Sequence, residues 1–439
     1  MQKLSRLFWP VLVTPKNAVA KNLEAISKSQ KLMTELGLLK PATHGTFQIM
    51  PLAQRSLDKL CAIVNEAMLS VEGQKITLPV LTSSILWNKS GRLKGDITEF
   101  FMLRDRHNKE FLLSPTHEEA VTSMLASAAP ISYRQLPLRL YQIGPKFRDE
   151  LKARFGLMRA KEFLMKDMYT FDRSEKEAII TYELINEAYM KLFQQLEVPF
   201  KKVEACTGMM GGKISHEYHY ISPAGEDNLL HCQNCNHAFN AEVSAESATP
   251  KCVQCQSVNV HQVKGMEVAH AFLLGDRYSK VFNATFLHTD GKPKTSIMGC
   301  YGIGISRILA AALEVLSTEN ELKWPTLLAP YDVCIIGPKQ GSKEQAQAEQ
   351  IENQLCQQIC EIYGQDVIHD DRKYMTIGKR LMEAKRMGYP VIIVAGSKAC
   401  LTEPKVEIII REKSIELDIY TALQELAKYK KQKINLIQT

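Results

Sequence analysis
The first carboxylate in this 439-residue chain is Glu24. Ahead of it stand Lys3, Arg6, Lys16 and Lys21, while Leu4, Leu7, Phe8, Val11 and Leu12 recur at helical spacing. An acid-free, basic, amphipathic opening is the composition of a mitochondrial transit segment, here residues 1–23, expected to stand outside the fold. Pro10, Thr14 and Pro15 break the apolar run and speak against a secretory signal. No apolar stretch approaches the roughly 20 residues a membrane-spanning helix requires, which excludes a transmembrane protein. With 18 prolines and 23 glycines the chain is neither collagenous nor low-complexity. Eleven cysteines, an odd number spread over a long chain, exclude a secreted disulfide scaffold. A net charge of +7 permits a polyanionic partner without requiring one. What is present is 45% hydrophobic and 23% charged, the make-up of a globular protein of two to four domains.

Periodicity divides the chain in two. Leu57, Leu60, Cys61, Val64, Met68 and Val71 line one face of a helix over residues 54–71, which Gly73 ends. Residues 76–81 read as a strand interrupted by Pro79, an edge or interface position. Strands over 138–143 and 163–171 flank a polar connection, and an amphipathic helix over 175–196 follows. Residues 294–298 are strand-like and run into Gly299, Gly302 and Gly304, after which 305–316 is helical. Beyond Trp324-Pro325 the rhythm changes. Short buried strands at 333–336, 367–369 and 391–394 alternate with helices at 343–362 and 377–387, the pattern of a separate compact α/β domain over 325–439.

Cys232-x-x-Cys235 and Cys252-x-x-Cys255 are separated by 16 residues, the spacing of a four-thiolate zinc ribbon. The segment 226–263 is near or below the roughly 40 residues at which an independent unit needs a staple. In a reducing compartment that staple is a metal rather than two disulfides, so these four cysteines are the candidate metal ligands. Four thiolates leave no open coordination position, which makes the zinc structural.

Two further elements carry chemistry. Phe147-Arg148-Asp149-Glu150 lies between two strands, with Arg159 and Phe163 on the return. A planar guanidinium there can grip a phosphate or carboxylate with two parallel bonds. Alone, this reads as a surface salt-bridge cluster. The second element, residues 299–307, places small residues where backbone approaches a ligand, then Arg307 on the first helical turn. It is no P-loop, because no Gly-Lys-Ser/Thr follows, and no dinucleotide fingerprint, because no βαβ unit precedes it.

Taken together, these elements resemble the class II aminoacyl-tRNA synthetases. The helix with Pro79 is similar to motif 1, residues 147–163 to motif 2, and residues 302–307 to motif 3. Finer features resemble the prolyl-tRNA synthetases of bacterial and mitochondrial type, most of all the animal mitochondrial enzyme. They are Leu113-Ser114-Pro115-Thr116-His117-Glu118-Glu119, Arg154-Phe155-Gly156, Lys166-Asp167-Met168-Tyr169, Gly211-Gly212 with Ser215-His216-Glu217, and Met298-Gly299-Cys300-Tyr301-Gly302. The resemblance implies an α+β catalytic domain over 24–320, an antiparallel sheet flanked by helices. It also implies a mixed-sheet α/β anticodon-binding domain over 325–439.

The resemblance assigns roles. Arg148 touches the amino-acid carboxylate and the α-phosphate of ATP, Glu150 reads adenine, and Phe163 stacks on its ring. Arg159 and Arg307 hold the outer phosphates, with Mg²⁺ accompanying ATP. Thr116 and Glu118 bind the proline imino nitrogen, and Glu267 and His270 face ribose and substrate. Arg372, Lys379 and Arg380 lie in the anticodon-facing turn and helix, with Tyr374 available for stacking. Lysine plus arginine and aspartate plus glutamate are nearly balanced beyond Pro325, so only this clustering points to RNA. Lys428, Lys430, Lys431 and Lys433 read as a solubilising tail. The implied reaction is ATP-dependent activation of L-proline and transfer to tRNA(Pro) by a homodimer in the mitochondrial matrix. The chain departs from its relatives at Lys152-Ala153, Ala160, Lys161 and Ala269, and it has only 226–263 where many bacterial relatives insert an editing domain. Two other readings stand beside this one: an inactive tRNA-binding or accessory protein on the same scaffold, and a threonyl or seryl sister enzyme.

Overall fold
A computed structural model describes residues 1–10, 26–94, 98–128, 130–235, 237–244, 251–411 and 413–438. Helix α1 (Pro51–Leu69) starts on a proline, whose missing N–H is not needed in a first turn, and buries Leu52, Leu57, Leu60, Val64 and Met68. Strand β1 (Leu138–Phe147) and strand β2 (Glu162–Asp172) pair antiparallel across the expected polar connection. Helix α2 (Glu175–Gln195) is capped by the Ser174 side chain, which accepts from the Glu177 N–H. Strands β3 (Ile214–Ile221), β4 (Val260–Gly275) and β5 (Ile297–Gly304) complete the part of the sheet that matters for function. Helix α3 (Ile305–Leu316) is buried on nearly all sides, with Ile305, Ile308, Leu309 and Leu313 fully enclosed.

Among the described residues this sheet has nine strands, in the order Ile214–Ile221, Phe200–Glu204, Ala238–Asn240, Asp227–Cys232, β4, β5, β2, β1 and Gln74–Lys75. β3 also pairs directly with β4. The helices α1, α2 and α3 pack on one face, where Leu60, Tyr189, Leu192, Ile308 and Tyr301 share a core. Each such side chain taken fully out of water contributes about 1.5–3 kcal/mol. Pro79 lies between two short strands, Gln74–Lys75 and Leu81–Ser83, as its missing donor requires. The glycines at 299, 302 and 304 form a strand rather than a loop: they lie within β5, at the middle of the sheet.

The C-terminal unit has strands β6 (Val333–Ile336), β7 (Val367–Asp370), β8 (Val391–Val394), β9 (Lys405–Ile410) and β10 (Lys413–Asp418). The first three are parallel and the last two antiparallel, a mixed sheet. Helices Gln345–Tyr363, Ile377–Met387 and Ile419–Gln438 cover it. The last hairpin and the 20-residue last helix were not anticipated from the sequence. A chain of ion pairs ties this unit to α1. Arg55 and Lys59 reach Asp366 at 2.8 and 2.7 Å, and Lys433 meets Asp332, which is 1% exposed. Burial would raise the Asp366 carboxyl, but Lys59 and Arg55 outweigh it and hold it below the usual carboxylate range. Lys433 is therefore a buried structural cation rather than part of a solubilising tail.

The start of the chain also departs from expectation. Gln2–Lys3 adds a parallel strand to β7, and a short turn over Leu4–Arg6 leaves Leu4 only 5% exposed. Residues 2–9 thus belong to the folded body, while 11–25 lie outside the described residues.

Candidate active site
Strand register brings together residues that are far apart in sequence. Asp167 of β2 pairs with Gln142 of β1 and Gly302 of β5. Gly302 pairs with His270 of β4, which pairs with Glu217 of β3. The five positions form one row across the sheet, and Gly302 is the member without a side chain. Alternation along β2 puts Phe163, Met165, Asp167 and Tyr169 on that face and turns Lys166 to the other. There Lys166 donates to the Tyr189 hydroxyl and the Tyr301 carbonyl, and burial lowers its pKa to about 7.

At one end of the row the cations gather. The Arg148 guanidinium lies 5.3 Å from the centre of the Phe163 ring, and its backbone N–H bonds the Lys161 carbonyl at 2.9 Å. Burial, and then the charge of Arg307, depress the Arg148 pKa, while Glu267, Glu150 and Glu99 oppose them. Two guanidinium groups 159 residues apart in sequence therefore act on each other directly. Arg307 is aimed by backbone: its Nε donates to the Met158 carbonyl at 2.7 Å and its Nη1 to the Glu267 carbonyl at 3.0 Å. Arg159 donates to Glu150 and to Glu226, both at 2.7 Å, and Arg154 also bonds Glu226.

The carboxylates are equally organised. Burial would raise the Glu267 pKa, but the His270 bond and the Arg307 charge outweigh it and hold Glu267 ionised. His270 Nδ1 lies 3.0 Å from Glu267, its Nε2 meets the Ser215 hydroxyl, and its ring stacks on Phe272 at 3.8 Å. Glu217, Glu267 and His270 place ligand atoms within 4.8 Å of one another, and the two carboxylates are the hard oxygen donors that suit Mg²⁺.

Beside the row, the Thr116 hydroxyl donates to Glu118 at 2.7 Å, and Tyr169 links Thr116 to Asp167. Glu118 is fully buried and receives Arg92 at 3.2 Å and the Cys300 thiol at 3.0 Å. Asp167 is held by Lys146 at 2.8 Å and by Gln142 at 2.9 Å. Roles for Glu217, Glu226, Arg92, Cys300 and Asp167 were not assigned from sequence, because strand register brings Glu217, Cys300 and Asp167 here and tertiary packing of a short helical turn and a loop brings Arg92 and Glu226. Glu217, Asp167 and Cys300 had one signal: each falls in a short motif already singled out.

The cysteine pairs meet as well. Cys232 Sγ is 3.5 Å from Cys255 Sγ and Cys235 Sγ is 3.5 Å from Cys252 Sγ, with all four sulfurs within 4.8 Å. Tetrahedral zinc with sulfurs at about 2.3 Å needs sulfur–sulfur separations near 3.8 Å, so the donor set fits.

Known proteins resemble this chain over both of its units. Residues 101–316 match the class II tRNA synthetase core domain (G, H, P, S and T), and 332–432 match an anticodon-binding domain. The human probable mitochondrial proline–tRNA ligase is 44% identical over 402 residues, covering 90% of this chain and 84% of that protein. The corresponding Schizosaccharomyces pombe protein is 39% identical, covering 87% and 89%. The chain belongs to the proline–tRNA ligase family. A Cryptosporidium parvum prolyl-tRNA synthetase solved with halofuginone and AMPPNP shares the fold at a TM-score of 0.75 and 17% identity, covering 93% of this chain and 76% of that one. A Giardia lamblia prolyl-tRNA synthetase solved with prolyl-adenylate gives 0.75 and 19%, covering 93% and 82%. A Syntrophomonas wolfei proline–tRNA ligase aligns over 565 positions at 30% identity, covering 94% of this chain and 96% of that protein. Since this chain has 439 residues, that relative carries a large insertion.

In this proline–tRNA ligase family member the anticodon-binding domain distributes its cations unevenly. Lys379 and Tyr374 are exposed. Arg380 is fully buried, donating to the Asp370, Gly337 and Pro338 carbonyls, so it shapes the turn and cannot reach RNA. A guanidinium on the inward side of an amphipathic helix looks in sequence like one on the outward side, which is why it was placed with the RNA contacts. Arg372 is partly exposed and clamped by Asp370 at 2.9 and 2.6 Å and by Glu383 at 2.8 Å.

Proposed function
We propose that this protein is a proline–tRNA ligase that activates L-proline with ATP and transfers it to tRNA(Pro) in the mitochondrial matrix. The observation that carries the reading is that Arg148 and Arg307 are both tied to the same short return segment, Arg148 through the Lys161 carbonyl and Arg307 through the Met158 carbonyl, with the Phe163 ring 5.3 Å from the Arg148 guanidinium. Mutually repelling guanidinium groups suit an anion of high charge, and a nucleoside triphosphate provides it. Proline's carboxylate is ionised at neutral pH, so its attack on the α-phosphorus needs no general base. A carboxylate oxygen–phosphorus bond forms, the bond from the α-phosphorus to the bridging oxygen breaks, and pyrophosphate leaves. The protein supplies in-line positioning and neutralises the spreading charge. Arg148 bridges the two reactants, Arg307 and Arg159 hold the outer phosphates, and Phe163 and Glu150 take adenine. Arg159 must exchange Glu226 for phosphate as ATP enters. Thr116 and Glu118 hold the imino nitrogen. Glu217 and Glu267 would hold Mg²⁺, which supplies further neutralisation of phosphate charge. A hydroxyl of the 3′-terminal ribose of tRNA then attacks the prolyl carbonyl carbon: the ester bond forms, the bond from that carbon to the phosphate oxygen breaks, AMP leaves, and the hydroxyl proton passes to the departing phosphate or to water.

Three finer assignments accompany this. The four cysteines hold a structural zinc. The matrix assignment draws on the mitochondrial names of the human and S. pombe relatives. The working unit is a homodimer: Leu81 and Leu103, 48% and 42% exposed, share one face of the three-stranded sheet that follows Pro79, and Ile85, 73% exposed, lies on the helix after it. Such a patch fits a second copy of the same surface. An inactive accessory protein has no use for the retained nucleotide set, so that reading is set aside.

Replacing Arg148 or Arg307 by alanine is expected to lower proline-dependent ATP–pyrophosphate exchange by at least about 10²–10³; near-normal exchange in either variant refutes the assignment. With only 226–263 in the place of an inserted domain, and with a methylene worth only about 1–3 kcal/mol of discrimination, the pure enzyme should form Ala-tRNA and fail to hydrolyse it; efficient hydrolysis of added Ala-tRNA would show the opposite. Metal analysis of reduced, folded protein should find one zinc per chain, lost in a Cys252→Ser variant, and a zinc-free folded sample removes the metal. Sedimentation should give twice the 49.6 kDa chain mass, with Ile85→Glu shifting it toward monomer; a monomeric parent protein would end the dimer assignment.

A further inference from the structure
The first nine residues touch both halves of the molecule. Gln2 and Lys3 extend the edge of the anticodon-binding sheet, paired with Ile368 and His369 of β7. The turn that follows buries Leu4 and presents Ser5 to Asp371: the Ser5 N–H donates to Oδ1 at 2.9 Å and its hydroxyl to Oδ2 at 2.6 Å. Four residues on, the Trp9 indole N–H donates to the Leu36 carbonyl at 2.6 Å. Leu36 caps the helix Lys28–Glu35, which packs on α3 and so on the catalytic core. The Trp9 ring also lies 5.2 Å beneath the Arg372 guanidinium. One short segment thus grips two consecutive residues, Asp371 and Arg372, and anchors them to the catalytic domain.

Those two residues open the loop that carries Tyr374 and leads to Lys379, the exposed groups facing outward from this domain. Arg372 has its edges taken by Asp370 and Glu383 and one face taken by Trp9, so its position is set from three sides. We infer that residues 2–9 form a strap that fixes the RNA-facing turn of the anticodon-binding domain relative to the catalytic domain, with Trp9 as a positioning residue for tRNA recognition. The inference rests on reading the 370–379 turn as the anticodon-facing one. Its consequence is that a segment with leader-like composition has a task in the folded enzyme: loss of residues 2–9 would free the turn without touching the pocket around Arg148.

The test uses the full chain with Trp9→Ala, Ser5→Ala and Trp9→Phe, and a separate Tyr374→Ala/Lys379→Ala double variant. Steady-state aminoacylation against tRNA(Pro) is measured beside tRNA-free ATP–pyrophosphate exchange and the thermal midpoint. Trp9→Ala and Ser5→Ala should raise KM for tRNA about 5-fold, the scale of one lost contact of this kind, with exchange and kcat unchanged. Trp9→Phe, which keeps the stacked ring, should recover most of the loss. If the double variant raises KM while Trp9→Ala and Ser5→Ala leave it at the parent value, the strap is overturned and the reading of the turn survives. If none of them changes KM, the turn is not RNA-facing and the inference falls with it. Should Trp9→Ala fail to fold, Ser5→Ala decides, because it removes one exposed hydroxyl.

Discussion
The architecture is organised around two positive charges held close together. Arg148 sits at the end of one strand and Arg307 on the first turn of a helix that begins where another strand stops. Like charges at that range are unfavourable, and burial makes them more so, which is why the Arg148 pKa is depressed. The protein meets that cost with carboxylates. Glu267 is kept ionised between Arg307 and His270, and Glu150 takes Arg159. A polyanion entering the pocket finds cations already in place, so little reorganisation is left to the moment of reaction.

The rest of the catalytic domain follows from keeping that geometry rigid. The row of paired residues from Gln142 to Glu217 crosses five strands in sequence-scrambled order, and each pairing fixes its neighbours to within a hydrogen bond. Beneath it, α1, α2 and α3 fill the opposite face with aromatic and aliphatic side chains, which prevents the sheet from flexing. The C-terminal unit is fastened at two places, by the α1 ion pairs of Arg55 and Lys59 with Asp366 and by the N-terminal residues that join its sheet. Two attachments far apart resist rotation better than one.

Much of this was legible from sequence because it is local. The α3 and 377–387 helices, the β6 and β8 strands and the polar connection between β1 and β2 follow from periodicity and turn residues within a few positions. The cysteine doublet announced its cluster by spacing alone. Arg148, Arg159, Phe163 and Arg307 could be singled out because each sits in a motif only a few residues long. Where reading failed, the cause was non-local. Arg380 and Lys433 are cations that face inward and are neutralised by groups dozens of residues away. That the glycines of β5 lie in mid-sheet was not legible, because strand pairing with β2 and β4 leaves no trace in their own neighbourhood.

By itself, then, the amino-acid order determined the principal helices, the cysteine knuckles and the identity of the groups that carry charge. Those are consequences of backbone propensity and of contacts within a turn or two. Only the tertiary structure decided that Glu217 joins Glu267 and His270, that Cys300 faces Glu118, and that the opening residues close onto Asp371 and Arg372. These depend on the register of strands from distant parts of the chain, where a slip of one residue would turn every side chain to the opposite face.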